Sequence, residues 1–321
     1  MAERVLVIGA CGFIGRAVST ALRRQGMEII GFDLATHPQA RTAGGAHIDG
    51  SVTDRAALSN AVRRLKPDTV ISLAAFSRPS IGLAISADVD HDAAFAVNVD
   101  GLRNVIEVAV AHGVRRVIWS SSTVVLGAAA PDRAAALDET APTAPVNVYG
   151  LTKVLAEQMS SYAHRVMELD IAAVRPTLVM GPDHPYSGIL DPLKRLFSHP
   201  VACGPVDLSW GTHRFDIVHV DDVAHAILAL CQRPGRLSQI YHVNGGPTTA
   251  SEIVDTVKAL RPDLEVRLSE SAPDTVYPLV SAGRIAAETG FVPRFTPQDV
   301  IADCVGRPTA RHDYSKGGIN A

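Results

Sequence analysis

A chain of 321 residues, 47% hydrophobic and 20% charged, is long and apolar enough to fold around one large core or a core with an added lobe, which excludes an extended disordered protein. Its formal net charge is −3 with both signs dispersed, so there is no basic field to hold nucleic acid or an anionic membrane surface. The four cysteines, Cys11, Cys203, Cys231 and Cys304, lie far apart without Cys-x-x-Cys spacing, which argues against a structural metal and fits a reducing compartment.

Met1-Ala2-Glu3-Arg4 leads directly into an apolar strand without a signal-like core, and no apolar run is long enough to span a membrane, so a cytoplasmic protein is expected. Val5-Leu6-Val7-Ile8 reads as a central strand buried on both faces. Gly9-Ala10-Cys11-Gly12-Phe13-Ile14-Gly15 then opens a helix that runs to about Arg24. Glycines at three-residue intervals allow a tight turn, close approach to a pyrophosphate and close packing of helix on strand, with the helix N-terminus facing the anion. The next strand, Glu28-Ile29-Ile30-Gly31-Phe32, ends in Asp33. That carboxylate is placed to accept hydrogen bonds from adenosine ribose hydroxyls and to repel a 2′-phosphate, which favours NAD over NADP.

The alternation continues with a helix from about Asp54 to Leu65, the strand Thr69-Val70-Ile71-Ser72-Leu73, a long helix from about Ala93 to Ala111 and the strand Val117-Ile118-Trp119 leading to Ser120-Ser121-Ser122-Thr123. Strands and helices in alternation imply a parallel sheet covered on both faces. Tyr149-Gly150-Leu151-Thr152-Lys153 follows, and positions four apart share a helix face, so a phenol and an ammonium point into one space. An ammonium about 4 Å away favours the phenolate by several kcal/mol at most, enough to bring a poor base into use. Tyr-x-x-x-Lys also occurs on helix surfaces by chance, so its meaning depends on the rest of the chain.

That helix continues to about Met167 and is followed by the strand Ile171-Ala172-Ala173-Val174-Arg175. Residues 182–214, rich in proline, glycine and histidine, read as a lid or small lobe with one short helix near Leu190–Phe197. Regularity returns with the strand Phe215–Val220, a helix from Asp221 to Cys231, the strand Ile240–Val243 and a helix at about Thr249–Leu260. Residues 306–321 are a polar tail. The expected fold is α/β, a Rossmann-type doubly wound parallel sheet over 1–175 that also takes in elements from about 215–245, with a smaller substrate-binding lobe over most of 176–305.

Together these residues resemble the extended short-chain dehydrogenases/reductases, the NAD-dependent epimerase/dehydratases, from about Arg4 to Val305. The resemblance rests on Gly9, Gly12, Gly15 and Asp33, Leu73-Ala74-Ala75, Asn98 before Gly101-Leu102-Arg103-Asn104, Ser120-Ser121-Ser122, Tyr149 and Lys153, Arg175-Pro176, and His219-Val220-Asp221-Asp222-Val223-Ala224. It implies that Ser122 hydrogen-bonds the reacting oxygen, with Thr123 able to share that role. It also implies that Tyr149 is the acid/base and that Lys153 binds the nicotinamide ribose while depressing the tyrosine pKa. The implied NAD site comprises Gly9, Cys11, Gly12, Phe13, Ile14, Gly15, Asp33, Leu34, Ser51, Val52, Leu73, Ala74, Ala75, Asn98 and Pro176, together with Tyr149 and Lys153. Cys11 is assigned no chemistry. The family's dimers pair the helices equivalent to 93–111 and 149–167, so a homodimer is expected.

The chain also departs from its resemblance. Nucleotide-sugar epimerases usually carry an asparagine just after the arginine of the sixth strand, where this chain has Arg175-Pro176-Thr177-Leu178. Their late Arg-x-Gly-Asp is replaced by Ser271-Ala272-Pro273-Asp274, and Phe215 stands where an arginine is expected, with Arg214 displaced by one. Missing cations argue against a diphosphate. Val124-Val125 replaces the Asp-Glu of the 4,6-dehydratases and removes the acid and base that water elimination needs. A small hydroxy or oxo compound (a sugar, sugar acid or lactone) remains as the expected substrate, with Ser77, Arg78, Thr177, Tyr186, His213 and Arg214 as candidate contacts beside Ser122 and Thr123. The alternative is a nucleotide-sugar 4-epimerase with retained NAD. Arg175, His219 and Asp222 read as structural, with Asp221 or Asp222 capping the helix that follows.

Overall fold

A computed structural model describes residues 2–34, 46–78, 81–127, 136–185, 191–198, 201–208, 213–270 and 278–306. Strand β1 (Arg4–Ile8) is followed by α1 (Phe13–Arg24), β2 (Glu28–Asp33), β3 (Ala46–Asp49), α2 (Arg55–Leu65), β4 (Thr69–Ser72), α3 (Gly82–Val89), α4 (His91–Phe95), α5 (Gly101–Ala111), β5 (Arg116–Ser120), α6 (Val148–Arg165) and β6 (Asp170–Pro176). Beyond β6 come β7 (Leu178–Met180), α7 (Asp191–Ser198), β8 (Val206–Leu208), β9 (Arg214–His219), α8 (Val220–Gln232), β10 (Ile240–Val243), β11 (Pro247–Thr249), α9 (Ala250–Leu260), β12 (Val266–Leu268), α10 (Gly283–Thr289) and α11 (Pro297–Gly306).

Among the described residues, seven strands form one sheet in the order β10-β6-β5-β4-β1-β2-β3, parallel throughout. Parallel strands covered on both faces explain the unbroken apolar runs of the sequence. In β1, Val5 and Val7 face one core with Leu22 of α1 and Ile227 of α8, while Leu6 and Ile8 face the other with Leu58 of α2, Val105 of α5 and Ala156 of α6. The chain order reverses between β1 and β4, which opens a crevice at the carboxyl ends of those strands. A third core, built from Met180, Leu193, Leu208, Phe215, Ile253 and Ile301, lies under the three-stranded sheet β11-β9-β7 and the pair β12-β8. No helix of the described residues is long and apolar enough to cross a membrane.

Three local expectations need correction. The single helix expected over 93–111 starts at His91 and contains a π-helical segment, Ala96–Asp100, between α4 and α5. The cap of α8 is His219, whose Nδ1 accepts from the Asp221 N–H at 3.1 Å. Asp222 is fully buried and instead accepts from the backbone N–H groups of Arg294 and Phe295, both at 3.1 Å, which ties the segment before α11 to the first turn of α8.

Candidate active site

β1 ends beside the crevice, and the chain turns at Gly9 with φ +77°, where an added Cβ would also meet the backbone of Leu73 and Ala74 at 2.9 and 2.8 Å. A Cβ on Gly15 would lie 2.1 Å from the Gly9 carbonyl oxygen. Gly12 opens α1 without a side-chain cap, and no acid occupies the first turn, so the positive end of the helix is left for an anion. Phe13 and Ile14 form that first turn. Arg16 braces the loop from behind by donating to the Cys11 carbonyl at 2.9 Å. Burial and the neighbouring Asp33 push the Cys11 thiol up to about 12, so it stays protonated and inert at neutral pH.

The Asp33 carboxylate closes the same loop, accepting from the Cys11 N–H through Oδ2 and from the Leu34 N–H through Oδ1, each at 2.8 Å. Each oxygen keeps further acceptor capacity for a ribose hydroxyl. Asp49 is the register partner of Asp33, and two adjacent carboxylates oppose a phosphate at this position. Ser51 and Val52 follow on the link to α2, where the Val52 carbonyl accepts from Asn104 Nδ2 at 3.0 Å. These groups fit a dinucleotide laid from the mouth of α1 toward β2.

On the other side of the crevice, Leu73, Ala74 and Ala75 leave β4 against Gly9. Asn98, from the π segment, accepts from the Phe76 N–H at 2.9 Å and donates to Thr152 Oγ1 at 3.0 Å, and that hydroxyl donates to the Tyr149 carbonyl at 2.7 Å. The extra residue of a π turn thus sets Asn98 as a brace between the loop after β4 and the first turn of α6.

Asn147 caps α6 by accepting from the Gly150 N–H at 2.8 Å, which starts the helix one residue before Tyr149. Lys153 is buried. Its Nζ donates to the Ser120 carbonyl at 2.8 Å and lies 5.6 Å from the centre of the Tyr149 ring and 5.7 Å from that of Trp119. Burial lowers the Lys153 ammonium to about 8, against the opposing pull of Glu157. After β5 the three serines diverge. Ser120 offers its carbonyl to Lys153, Ser121 donates to Glu157 Oε1 at 2.6 Å, and Ser122 caps a 3₁₀ turn, Thr123–Val125, that packs on α6. Thr123 turns into the wall and donates to the Pro176 carbonyl at 3.3 Å. Val124 packs with Tyr149, Phe76 and Leu83.

Of the other candidate contacts, Ser77 Oγ and Thr177 Oγ1, from the ends of β4 and β6, are buried with no hydrogen-bond partner. Arg78 pairs with Asp90 at 2.9 Å and lies over the Phe76 ring. His213 and Arg214 stand at the start of β9, and Arg214 is exposed. Tyr186 and Ser271–Asp274 lie outside the described residues. Glu157 and His242 belong to no motif in the sequence, and Ser121 has no role of its own within the serine run, yet the three form a continuous buried array with Arg175. The four-residue step from Lys153 to Glu157 was the available signal.

The profile described as NAD dependent epimerase/dehydratase family matches residues 5–244. The UDP-glucose 4-epimerase of Streptomyces lividans is 27% identical to this chain, over 94% of this chain and 95% of its own length. The mitochondrial L-threonine 3-dehydrogenase of Sus scrofa is 26% identical, over 82% of this chain and 70% of its own. Among solved structures, the Thermus thermophilus UDP-glucose 4-epimerase complexed with NAD superposes with a TM-score of 0.81 at 25% identity, covering 95% of this chain and 98% of that one. Glycine loop, acid-tipped β2 and sheet order agree with that match, and the chain belongs to the NAD dependent epimerase/dehydratase family, enzymes whose cofactor is NAD.

Proposed function

We propose that the protein interconverts a secondary alcohol and a ketone on a small non-nucleotide substrate such as a sugar, sugar acid or lactone, with Tyr149 moving the hydroxyl proton. Bound NAD supplies the hydride acceptor or donor. Tyr149 takes the proton from the substrate oxygen in one direction and returns it in the other. Ser122 donates to that oxygen and stabilises the charge that develops on it. Lys153 keeps a positive charge beside the phenol and favours its ionised form. The glycine loop and Asp33 hold the dinucleotide in place.

The observation that carries the chemistry is the buried Lys153 ammonium between the Tyr149 ring and the end of β5. The substrate class is supported by Phe215, which is 1% exposed in the third core, while strand alternation puts Arg214 on the opposite face with Asp216. Ser77 and Thr177 add buried, unpaired hydroxyls in the connections that follow β4 and β6. In the test, NADH formation is followed with compounds first selected by a thermal-shift screen of sugar acids, lactones and nucleotide sugars. Tyr149→Phe is expected to lower kcat by about 100-fold or more, and full turnover in that variant refutes the mechanism.

The epimerase named among the relatives favours a second reading, a nucleotide-sugar 4-epimerase with retained NAD. Activity on a UDP-hexose without net NADH formation would establish it over the first. For the assembly, Leu151, Leu155 and Tyr162 form an exposed apolar stripe along α6 that Val166 continues just past its end, and Val110 is exposed on α5. They support a homodimer through these helices. Sedimentation should show a dimer that Leu155→Glu dissociates, and a monomeric wild-type protein refutes the pairing.

A further inference from the structure

Beneath the candidate site lies a buried set of charges that the proposed reaction does not use directly. Arg175 grips Glu157 with two bonds, Nε to Oε1 at 2.7 Å and Nη2 to Oε2 at 2.6 Å, and both side chains are almost completely buried. The Ser121 hydroxyl adds a third donor to Glu157 Oε1 at 2.6 Å. On the far side, Arg175 Nη1 stands 3.3 Å from His242 Nε2. An arginine can only donate, so Nε2 is the acceptor and the ring proton sits on Nδ1, which makes His242 neutral. Burial and the Arg175 charge lower His242 to about 4, consistent with that form. Glu139, which accepts from the His242 N–H at 3.0 Å, is balanced by Arg284 at 3.6 Å.

The remaining sum is uneven. Lys153 and Arg175 are two cations, and Glu157, one helical turn beyond Lys153, is the single anion between them. Buried charge without compensation is costly, so a carboxylate fixed by three donors at this depth restrains the cation on its own helix.

We infer that Glu157 is a positioning residue: held by Arg175 and Ser121, its carboxylate is the counter-ion that keeps Lys153 charged in the core, and the one positive charge left over is balanced by the Tyr149 phenolate. This rests on the reading of Tyr149 and Lys153 as the acid/base pair. Among the described residues, the titratable groups facing Lys153 are Tyr149 and Glu157 from α6 itself, with Arg175 of β6 beyond Glu157 and His242 of β10 behind Arg175. β5 presents a carbonyl, a hydroxyl and the Trp119 ring, and the π segment presents the Asn98 amide. Asp88 of α3 and His91 and Asp92 of α4 are exposed to solvent.

The charge on Lys153 can be read without a substrate. The lysines of the chain are Lys66, Lys153, Lys194, Lys258 and Lys316, so spectra of the full chain labelled at lysine Cε are sparse, and Lys153→Met identifies the signal that matters. The wild-type signal should titrate near 8. In Glu157→Gln the midpoint should fall by about one unit or more, with circular dichroism showing that the fold is kept. In Arg175→Met, which removes the competing cation and leaves Glu157 to Lys153 alone, it should rise. An unmoved midpoint in folded Glu157→Gln overturns the inference. If that variant does not fold, an unmoved or lowered midpoint in Arg175→Met overturns it. An unmoved midpoint together with an inactive Tyr149→Phe removes the counter-ion role and leaves the proposed reaction standing. A shifted midpoint with a fully active Tyr149→Phe does the reverse.

Discussion

At Gly15 there is no room for a single additional carbon. An alanine Cβ there would stand 2.1 Å from the Gly9 carbonyl oxygen and 2.9 Å from Ala10 Cα, and both obstacles are backbone rather than flexible side chain. Gly12, by contrast, would bring a Cβ no closer than 3.3 Å to the same oxygen, although it sits at the mouth of the same helix. The loop must therefore shift for Gly15→Ala and need yield only slightly for Gly12→Ala. Overpacking of this kind costs about 1 to 3 kcal/mol, and it displaces the N–H groups that would face the pyrophosphate. Calorimetric titration with NAD should show Gly15→Ala weakened by at least about tenfold, equivalent to about 1.4 kcal/mol, with a lowered melting temperature. Wild-type NAD affinity in that variant would show that the loop geometry is not what holds the cofactor.

The elements divide by how local their causes are. β1, β2 and β6 could be read directly because strands buried on both faces leave continuous apolar runs, and Tyr149 and Lys153 could be paired because a helix brings residues four apart together by its own geometry. Asp54 before α2 and the capping box of Thr249 and Glu252 before α9 are local in the same way. The π segment escaped because its apolar spacing continues that of α4 and α5, and the added residue shows only in the direction Asn98 takes. β7, β8, β11 and β12 are three residues each, too short to show a period. Arg116 is the clearest case of a distant cause. It opens β5 as an ordinary charged residue in the sequence, but it is 2% exposed, paired with Asp170 at 2.7 Å, and it donates to the carbonyls of Leu230 and Cys231 at 2.8 and 3.0 Å and of Arg233 at 2.9 Å. It thereby satisfies the carbonyl end of α8, more than a hundred residues downstream. Glu157, Arg175 and His242 meet for the same kind of reason, since the pairing of β10 on β6 that sets His242 opposite Arg175 has no local signature.

Across the whole molecule, two buried groups that flank the Val280–Ser281 segment set opposing pH dependences. Asp216, on β9, accepts from the Val280 N–H at 2.7 Å, and burial raises its carboxyl from 3.8 to about 6. It holds its proton more tightly folded than unfolded, so its contribution to stability is complete below pH 3.8 and is lost as the pH rises through about 6. His242 behaves in the opposite sense. Lowered from 6.5 to about 4, it gives up its proton on folding, so its contribution is complete above 6.5 and is lost as the pH falls to about 4. Each shift of about two units corresponds to about 3 kcal/mol, and over most of the interval from pH 4 to 6 the two slopes cancel. The wild-type protein should therefore show little change from this pair in urea unfolding between those limits. Asp216→Asn should make stability climb with pH across the interval, because only the contribution of His242 remains, and His242→Asn should make it decline. Carboxylates shared by all three proteins drop out of the comparison. If the two variants give curves parallel to each other, neither burial shift is coupled to folding, and the depression of His242 by Arg175 loses its support.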